Sequence, residues 1–480
     1  MPEDEGEDRL PIDLGPVSNG EYLPPPSSPV LRETERRARE AVDDTARRLG
    51  MSRRRFLRTS MAISVTLLAL EACSSEERAS RGKSPGGRMR LPGDSTTDPT
   101  STLPPSDQFV MDVQTHFLDY TEHPDATDFG STFPQSDCGD ADSRLCFSID
   151  HYLEELFLNS DTNMGIISAI PIPPALNALT IDDMERMQRV VERVCDDKRM
   201  LLHGQVLPSY GPLDEQLAGM PQLIEDHPIA AWKIYTHAPG RGWYLDDHDG
   251  SAPQVGNQFL ERVNEVGPRI VSVHKGFSGG SEYASPVDIG PSAKAYPDID
   301  FVVYHSGFES ANREGPYDAN GGGVDRFVRS LKEAGIGHGQ NVYAELGSTW
   351  FLAMRDPDQA AHVLGKLLVA VGADNIVWGT DSIWYGSPQV QIDAFRAFEI
   401  TEEYQDKYAY PPLTDDVKRK ILGLNAAGLY GVDPITTSCE FSPADIVEAR
   451  QALPARPASY GPKTAAAVRK LAHDHGWIGV

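Results

Sequence analysis

The chain has 480 residues, of which 40% are hydrophobic and 24% charged, and it carries a formal net charge of −27. These proportions are typical of a globular protein with enough apolar mass for one large domain or two ordinary ones. The negative charge argues against nucleic-acid binding, which requires a basic surface. The five cysteines include no Cys-x-x-Cys pair, which argues against a thiolate zinc site, and the sequence leaves open whether Cys138 and Cys146 pair.

The first recognisable element is an N-terminal targeting pattern. Residues 52–58 read Ser-Arg-Arg-Arg-Phe-Leu-Arg, and the apolar run over residues 61–70 is too short to span a bilayer as a mature helix. This pattern resembles a twin-arginine export signal. Residues 70–73 resemble a lipobox ending on Cys73, although Glu71 is an unusual residue there. We therefore predict export by the twin-arginine route to the periplasmic or cell-envelope side, with a lipid on Cys73 as the only membrane attachment.

Composition divides the chain into four segments. Residues 1–72 are predicted to be the leader and export signal, and the part before the signal lacks apolar periodicity and is expected to be disordered. Residues 73–107 are rich in small and polar residues, which predicts a flexible linker. Residues 108–435 are predicted to form the folded domain. Residues 436–480 are interpreted as a short helical tail that packs on the domain or serves as an oligomerisation arm, so a homo-oligomer stays open.

Apolar runs alternate with helical patterns throughout the folded segment. This alternation indicates βα units around a parallel sheet. Runs such as residues 301–304 are continuously apolar, as expected of strands buried on both faces. Eight such runs are the number that a closed (β/α)8 TIM barrel requires, so we predict an α/β fold of that type. The predicted strands, numbered 1 to 8, cover residues 109–114, 164–170, 200–206, 230–235, 269–274, 300–304, 341–345 and 375–379.

Four of these strands end on side chains that bind metal ions. Gln114 and His116 end strand 1, His274 ends strand 5, His305 follows strand 6 and Asp381 follows strand 8. The carboxyl ends of barrel strands open on one rim, so these side chains are expected to meet there. A single histidine at a strand end is more often a packing residue. The occurrence of the whole set in order, however, predicts a metal site with three side-chain ligands and a water.

This ordered set resembles the amidohydrolase superfamily, in the branch of metal-dependent hydrolases and decarboxylases that includes aminocarboxymuconate-semialdehyde decarboxylase. The similarity extends from about residue 109 to about residue 432. Its most specific parts are residues 378–381, Trp-Gly-Thr-Asp, and residues 421–430. The resemblance implies a TIM barrel that acts on a small-molecule substrate with one divalent metal ion, Zn²⁺ or alternatively Mn²⁺.

The resemblance also implies roles for individual residues. His116, His274 and Asp381 would hold the ion, and His305 would orient or deprotonate the reacting water, so that His305 and Asp381 are the catalytic pair. The usual strand-1 motif is His-x-His or Glu-x-His, and Gln114 departs from it. A glutamine is neutral and a weak zinc ligand, so Gln114 is expected either to coordinate weakly or to hydrogen-bond, and one ion is expected rather than two.

Three further residues are predicted to bind the substrate. Lys233 lies within strand 4 and is interpreted as a substrate-binding cation or as the ion-pair partner of Glu345 at the end of strand 7, because a buried lysine needs a partner. His237, just past strand 4, is a weaker candidate for substrate contact.

Three functions stay open at this point. The first is an exported hydrolase that cleaves an amide, ester or lactone with a metal-activated water. The second is a non-oxidative, metal-dependent decarboxylase of an aromatic or muconate-type acid. The third, of another class, is a tethered and catalytically silent binding protein that has lost a ligand at Gln114. The sequence does not indicate the substrate itself.

Overall fold

Eight parallel strands, hydrogen-bonded in chain order, form the centre of the computed structural model. The strands are β1 Gly87–Met89, then the eight central strands β2 Met111–Thr115, β3 Met164–Ile167, β4 Met200–Gln205, β5 Ile229–Tyr235, β6 Ile270–His274, β7 Asp300–Tyr304, β8 Val342–Glu345 and β9 Ile376–Val377, and finally β10 Phe398–Ile400. The structure describes residues 9–57, 59–90, 108–128, 132, 134–136, 138, 142–250, 254–277, 281–436 and 439–452.

The central sheet closes into a barrel between β9 and β2. The Val113 amide donates to the Trp378 carbonyl at 3.0 Å, the Asp381 amide donates to the Gln114 carbonyl at 3.0 Å, and Thr115 forms a parallel bridge with residue 382. All eight predicted strands are present, and the (β/α)8 fold class is confirmed. Every residue of β2 is buried, although Asp112, Gln114 and Thr115 make its sequence only partly apolar. This closure places the end of β2 beside the segment that follows β9.

Helices cover the outside of the barrel and follow the strands in turn. Thr180 caps the helix after β3 in a reciprocal capping box with Asp183. The helices are α1 Pro29–Arg48, α2 Arg53–Leu57, α3 Ser60–Ser80, α4 Ile149–Leu153, α5 Ile181–Cys195, α6 Leu213–Asp226, α7 Gly256–Val266, α8 Ile289–Ala295, α9 Val324–Ala334, α10 Thr349–Ala353, α11 Pro357–Ala370, α12 Gln389–Ala397, α13 Glu402–Tyr408, α14 Asp415–Arg419, α15 Asn425–Tyr430 and α16 Pro443–Ala452.

The described residues before the barrel include the three helices α1, α2 and α3, which differs from the expected disorder. Ala38, Val42 and Ala46 recur at helical spacing within the Arg/Glu-rich sequence of α1 and are buried where α1 packs against α3. This narrow stripe of small apolar residues is easily missed among the charges. The predicted signal run lies inside α3, and Cys73 is only 4% exposed there. Among the described residues, none of the helices is both long and apolar enough to cross a membrane.

The linker and tail are ordered in part. Arg78 at the end of α3 forms an ion pair with Asp358, and β1 pairs antiparallel with β10. Residues 73–90 are therefore ordered and do not form the expected flexible linker. Residues 91–107 lie outside the described residues. The predicted tail contains α16, which contacts α5 and α4, and its further residues 453–480 also lie outside. Disulfides form within two cysteine pairs, Cys138–Cys146 and Cys195–Cys439.

Candidate metal centre at the barrel mouth

His116 and Asp381 face each other across the seam that closes the barrel. The distance between His116 Nε2 and Asp381 Oδ1 is 3.4 Å, and both side chains are almost fully buried. His116 Nδ1 lies 2.6 Å from the Ser168 carbonyl and donates to it, so Nε2 is the ring nitrogen that faces Asp381. Two ligands of a tetrahedral zinc ion, each about 2.0–2.1 Å from the metal, stand about 3.4 Å apart. The pair therefore fits a shared ion.

Asp381 is held as an anion by the donors around it. The Gln114 amide nitrogen donates to Oδ1 at 2.9 Å, while Ser348 Oγ and Asn19 Nδ2 donate to Oδ2 at 2.6 and 3.0 Å. Burial alone would raise the pKa of Asp381, but the contact with His116, the nearby His305 ring and the hydrogen bond from Ser348 lower it below its usual range. The carboxylate is thus charged and ready to bind a cation.

His305 presents a free-base nitrogen to the same place. Its Nδ1 lies 2.7 Å from the Gly347 carbonyl and donates to it, which leaves Nε2 as an acceptor. Nε2 is 3.4 Å from the Gln114 amide nitrogen, so Gln114 stands between His305 and Asp381. Burial lowers the pKa of His305 to about 4, so the ring is neutral near pH 7. Oε1 of Gln114 is buried and has no hydrogen-bond partner among the described residues.

His274 lies next to His305, and its ring nitrogens have no hydrogen-bond partners among the described residues. Its ring centroid is 4.7 Å from that of His305 and 4.8 Å from that of His237. The side chain is about 1% exposed. A buried ring with two unsatisfied nitrogens carries a desolvation cost that a metal ion would offset.

The predicted ion pair between Lys233 and Glu345 does not form. Glu345 accepts hydrogen bonds from the peptide nitrogens of His305 at 2.9 Å and Gly347 at 2.5 Å, so the turns after β7 and β8 each occupy one carboxylate oxygen. Burial raises the pKa of Glu345 to about 8. Lys233 Nζ instead lies 3.5 Å from the centroid of the Tyr304 ring, without a hydrogen-bond partner in the described residues, and burial lowers its pKa to about 7. The role of Lys233 as a substrate-binding cation stays a prediction.

One ligand-type residue at the mouth was missed by the sequence analysis. Within the described residues, Glu21, His274 and His305 form a group whose ligand atoms all lie within 4.8 Å of one another. Glu21 belongs to the segment expected to be disordered, and no local pattern marks it as a site residue. The structure thus brings Gln114, His305 and Asp381 into contact and adds Glu21 beside His274.

Comparison with known proteins agrees with this architecture. The amidohydrolase family model matches residues 181–432, slightly more than half of the chain. The chain therefore belongs to the amidohydrolase family, and with its strand-end site it has the (β/α)8 fold of that superfamily. No curated protein matches the chain.

Solved structures with a similar barrel are distant in sequence. An uncharacterised TIM-barrel protein from Bordetella bronchiseptica is 13% identical over 67% of this chain and 98% of its own, with a TM-score of 0.42. A 2,6-dihydroxybenzoate decarboxylase from Rhizobium is 14% identical over 68% of this chain and 99% of its own, at 0.36. A 5-carboxyvanillate decarboxylase from Sphingomonas paucimobilis is 13% identical over 68% of this chain and 100% of its own, at 0.37. Similarity at this level does not decide the reaction.

Proposed function

We propose that the protein is a metal-dependent hydrolase that cleaves an amide, ester or lactone bond in a small molecule. The observation that carries the proposal is the distance of 3.4 Å between His116 Nε2 and Asp381 Oδ1. The neutral His305 ring lies on the other side of the Gln114 amide from Asp381. His116, His274 and Asp381 would hold one divalent ion, which when bound lowers the pKa of water toward neutrality and polarises a carbonyl.

The protein's own groups carry the proton. His305 Nε2 is unprotonated at neutral pH, so it takes a proton from the attacking water and then returns it to the leaving group. The bond from His305 Nδ1 to the Gly347 carbonyl fixes the tautomer that this role requires. The Gln114 amide, placed between His305 and Asp381, keeps their separation constant during the reaction.

A cavity of about 600 Å³ beside the site is the proposed binding space for the substrate. Trp384 and Tyr385 line it, and the Trp384 indole nitrogen donates to Asp381 Oδ1 at 3.2 Å, so Trp384 lies between the cavity and the site. We also propose that the protein works outside the cytoplasm, because its two disulfides favour an oxidising compartment. The predicted twin-arginine signal supports the same localisation.

Metal analysis and a substrate panel test the proposal. Purified protein should contain about one equivalent of Zn²⁺ or Mn²⁺ and hydrolyse members of a panel of amides, esters and lactones. Less than about 0.2 equivalents would contradict both enzyme functions and favour a silent binding protein. His274→Ala should abolish activity, whereas His338→Ala, at an exposed position, should not. Activity that survives His274→Ala with unchanged metal content would refute the assignment of ligands.

Decarboxylation is the second candidate, and Lys233 is the observation that favours it. A buried amine without a hydrogen-bond partner among the described residues is suited to receive a substrate carboxylate. Release of CO₂ from aromatic and muconate-type acids, without hydrolysis of the amide, ester and lactone panel, would select this function over the first.

A further inference from the structure

The barrel mouth is covered by an N-terminal arm, which we define as residues 9–23. Its apolar side chains at Leu10, Ile12, Leu14 and Val17 are 1–8% exposed, so the arm is docked and not merely adjacent. The arm lies outside residues 181–432, which match the amidohydrolase family. It is therefore a feature of this chain that the family match does not account for.

A tight turn in the arm points polar groups at the site. Gly20 has φ of 97°, a left-handed value that favours glycine, and its amide donates to Ser18 Oγ at 3.0 Å. The Tyr22 hydroxyl is 2.9 Å from that of Tyr385, and its ring stacks on Phe277 with centroids 4.9 Å apart. The turn is therefore fixed on both sides of the mouth.

The turn places the Glu21 carboxylate beside the unsatisfied His274 ring. Glu21 Oε1 is 3.8 Å from His274 Nδ1, which is too long for a hydrogen bond but suits two ligands that share one ion. Glu21 Oε2 accepts from Asn19 Nδ2 at 2.9 Å, and the same amide nitrogen donates to Asp381 Oδ2 at 3.0 Å. Asn19 thus holds the two carboxylates together at the centre.

Strand β2 leaves a ligand position unfilled. At the end of β2, Gln114 carries neither an imidazole nor a carboxylate, and it directs its amide nitrogen, which is not a ligand atom, to Asp381 and His305. We propose that Glu21 of the N-terminal arm is a metal ligand that replaces the missing strand ligand. This inference rests on the proposed metal-dependent function. It also requires that residues 9–23 remain bound to the barrel. Cleavage of the chain before Cys73, followed by dissociation of the arm, would therefore weaken metal binding.

Metal affinity of the full-length protein tests the inference directly. Zn²⁺ and Mn²⁺ alone are titrated against a chromophoric chelator with wild type, with Glu21→Gln and with the control Glu40→Gln, whose side chain is 65% exposed on α1. We expect Glu21→Gln to weaken metal binding at least tenfold and Glu40→Gln to leave it unchanged. Far-UV circular dichroism and the thermal midpoint of the metal-free proteins identify any loss of fold.

A rescue variant separates a ligand from a merely structural residue. Gln114→Glu in the Glu21→Gln background returns a carboxylate to the strand position and should restore metal affinity to within about threefold of wild type. Unchanged metal affinity in Glu21→Gln would overturn the inference. If the activity of Glu21→Gln also increased at that unchanged affinity, the arm would be an inhibitory segment that blocks the barrel mouth. Wild-type protein that binds neither metal would instead contradict the proposed function.

Discussion

Asn19 donates a hydrogen bond to Asp381, a residue 362 positions further along the chain, and so joins the N-terminal arm to the segment that follows β9. Both side chains are buried, at 2% exposure. Removal of the donor from a buried hydrogen bond leaves the charged acceptor with an unsatisfied position, which costs about 1–3 kcal/mol. The docking of the arm therefore depends on this one amide more than on any exposed contact.

We predict that Asn19→Ala loosens the arm without unfolding the barrel. Limited proteolysis followed by mass spectrometry should show cleavage within residues 9–28 accelerated about tenfold, as expected for a loss of about 1.4 kcal/mol. Asn320→Ala, at an exposed loop position, is the matched control and should cleave like wild type. Equal cleavage rates for both variants would show that the apolar side chains alone hold the arm.

Replacement of His305 should remove catalysis and preserve the fold. His305→Gln loses the Nε2 acceptor, so we expect kcat to fall by about 10²–10⁴-fold, the usual contribution of a general base. The wild-type rate should rise with pH to a plateau, because His305 must be unprotonated and its pKa is lowered to about 4. A variant with wild-type kcat, measured beside the exposed control His338→Gln, would exclude His305 as the base.

The stability of the protein should fall in acid through His362. Burial lowers the pKa of His362 to about 4, with Asp358 opposing and Lys366 adding to the shift. The unfolded chain takes up this proton near pH 6.5 and the folded chain only near pH 4, so stability is complete above pH 6.5 and is lost as the pH falls toward 4.

Urea unfolding at pH 7.5 and pH 4.5 measures this contribution. We expect the difference in unfolding free energy between the two pH values to shrink by about 2 kcal/mol in His362→Gln, which keeps a group able to bond the Tyr410 hydroxyl. His338→Gln, at an exposed position, should retain the wild-type difference. An unchanged pH dependence in His362→Gln would assign the acid loss to other groups.

The barrel and its strand-end residues were predictable because they depend on short-range rules. Continuous apolar runs mark buried parallel strands, and the ends of such strands share one rim, so Gln114, His116, His305 and Asp381 could be placed together before the structure was known. The prediction of an ion pair between Lys233 and Glu345 was wrong for a local reason. The turns after β7 and β8 each supply one backbone amide to Glu345, and the sequence does not reveal where backbone groups will satisfy a carboxylate.

The contribution of the N-terminal arm could not be predicted. The contact between Glu21 and His274 joins residues far apart in sequence, and single residues of one chain carry no signal of such a contact. The helix α1 was hidden for a different reason, since its buried stripe consists of Ala38, Val42 and Ala46 among many charged residues. The overall composition of this segment predicted disorder because composition does not record that the three apolar residues recur at helical spacing.

The two disulfides should stabilise the protein unequally. Cys195–Cys439 closes a loop with a sequence separation of 244 and ties α5 to the segment of α16, whereas Cys138–Cys146 spans a separation of 8. Loop-closure entropy grows with the logarithm of loop length, so the longer link should contribute about 3 kcal/mol more. Urea unfolding of Cys195→Ser with Cys439→Ser, compared with Cys138→Ser with Cys146→Ser, measures this difference. Equal losses would mean that loop-closure entropy of the unfolded chain does not set the difference, because native strain or residual structure in the unfolded state offsets it.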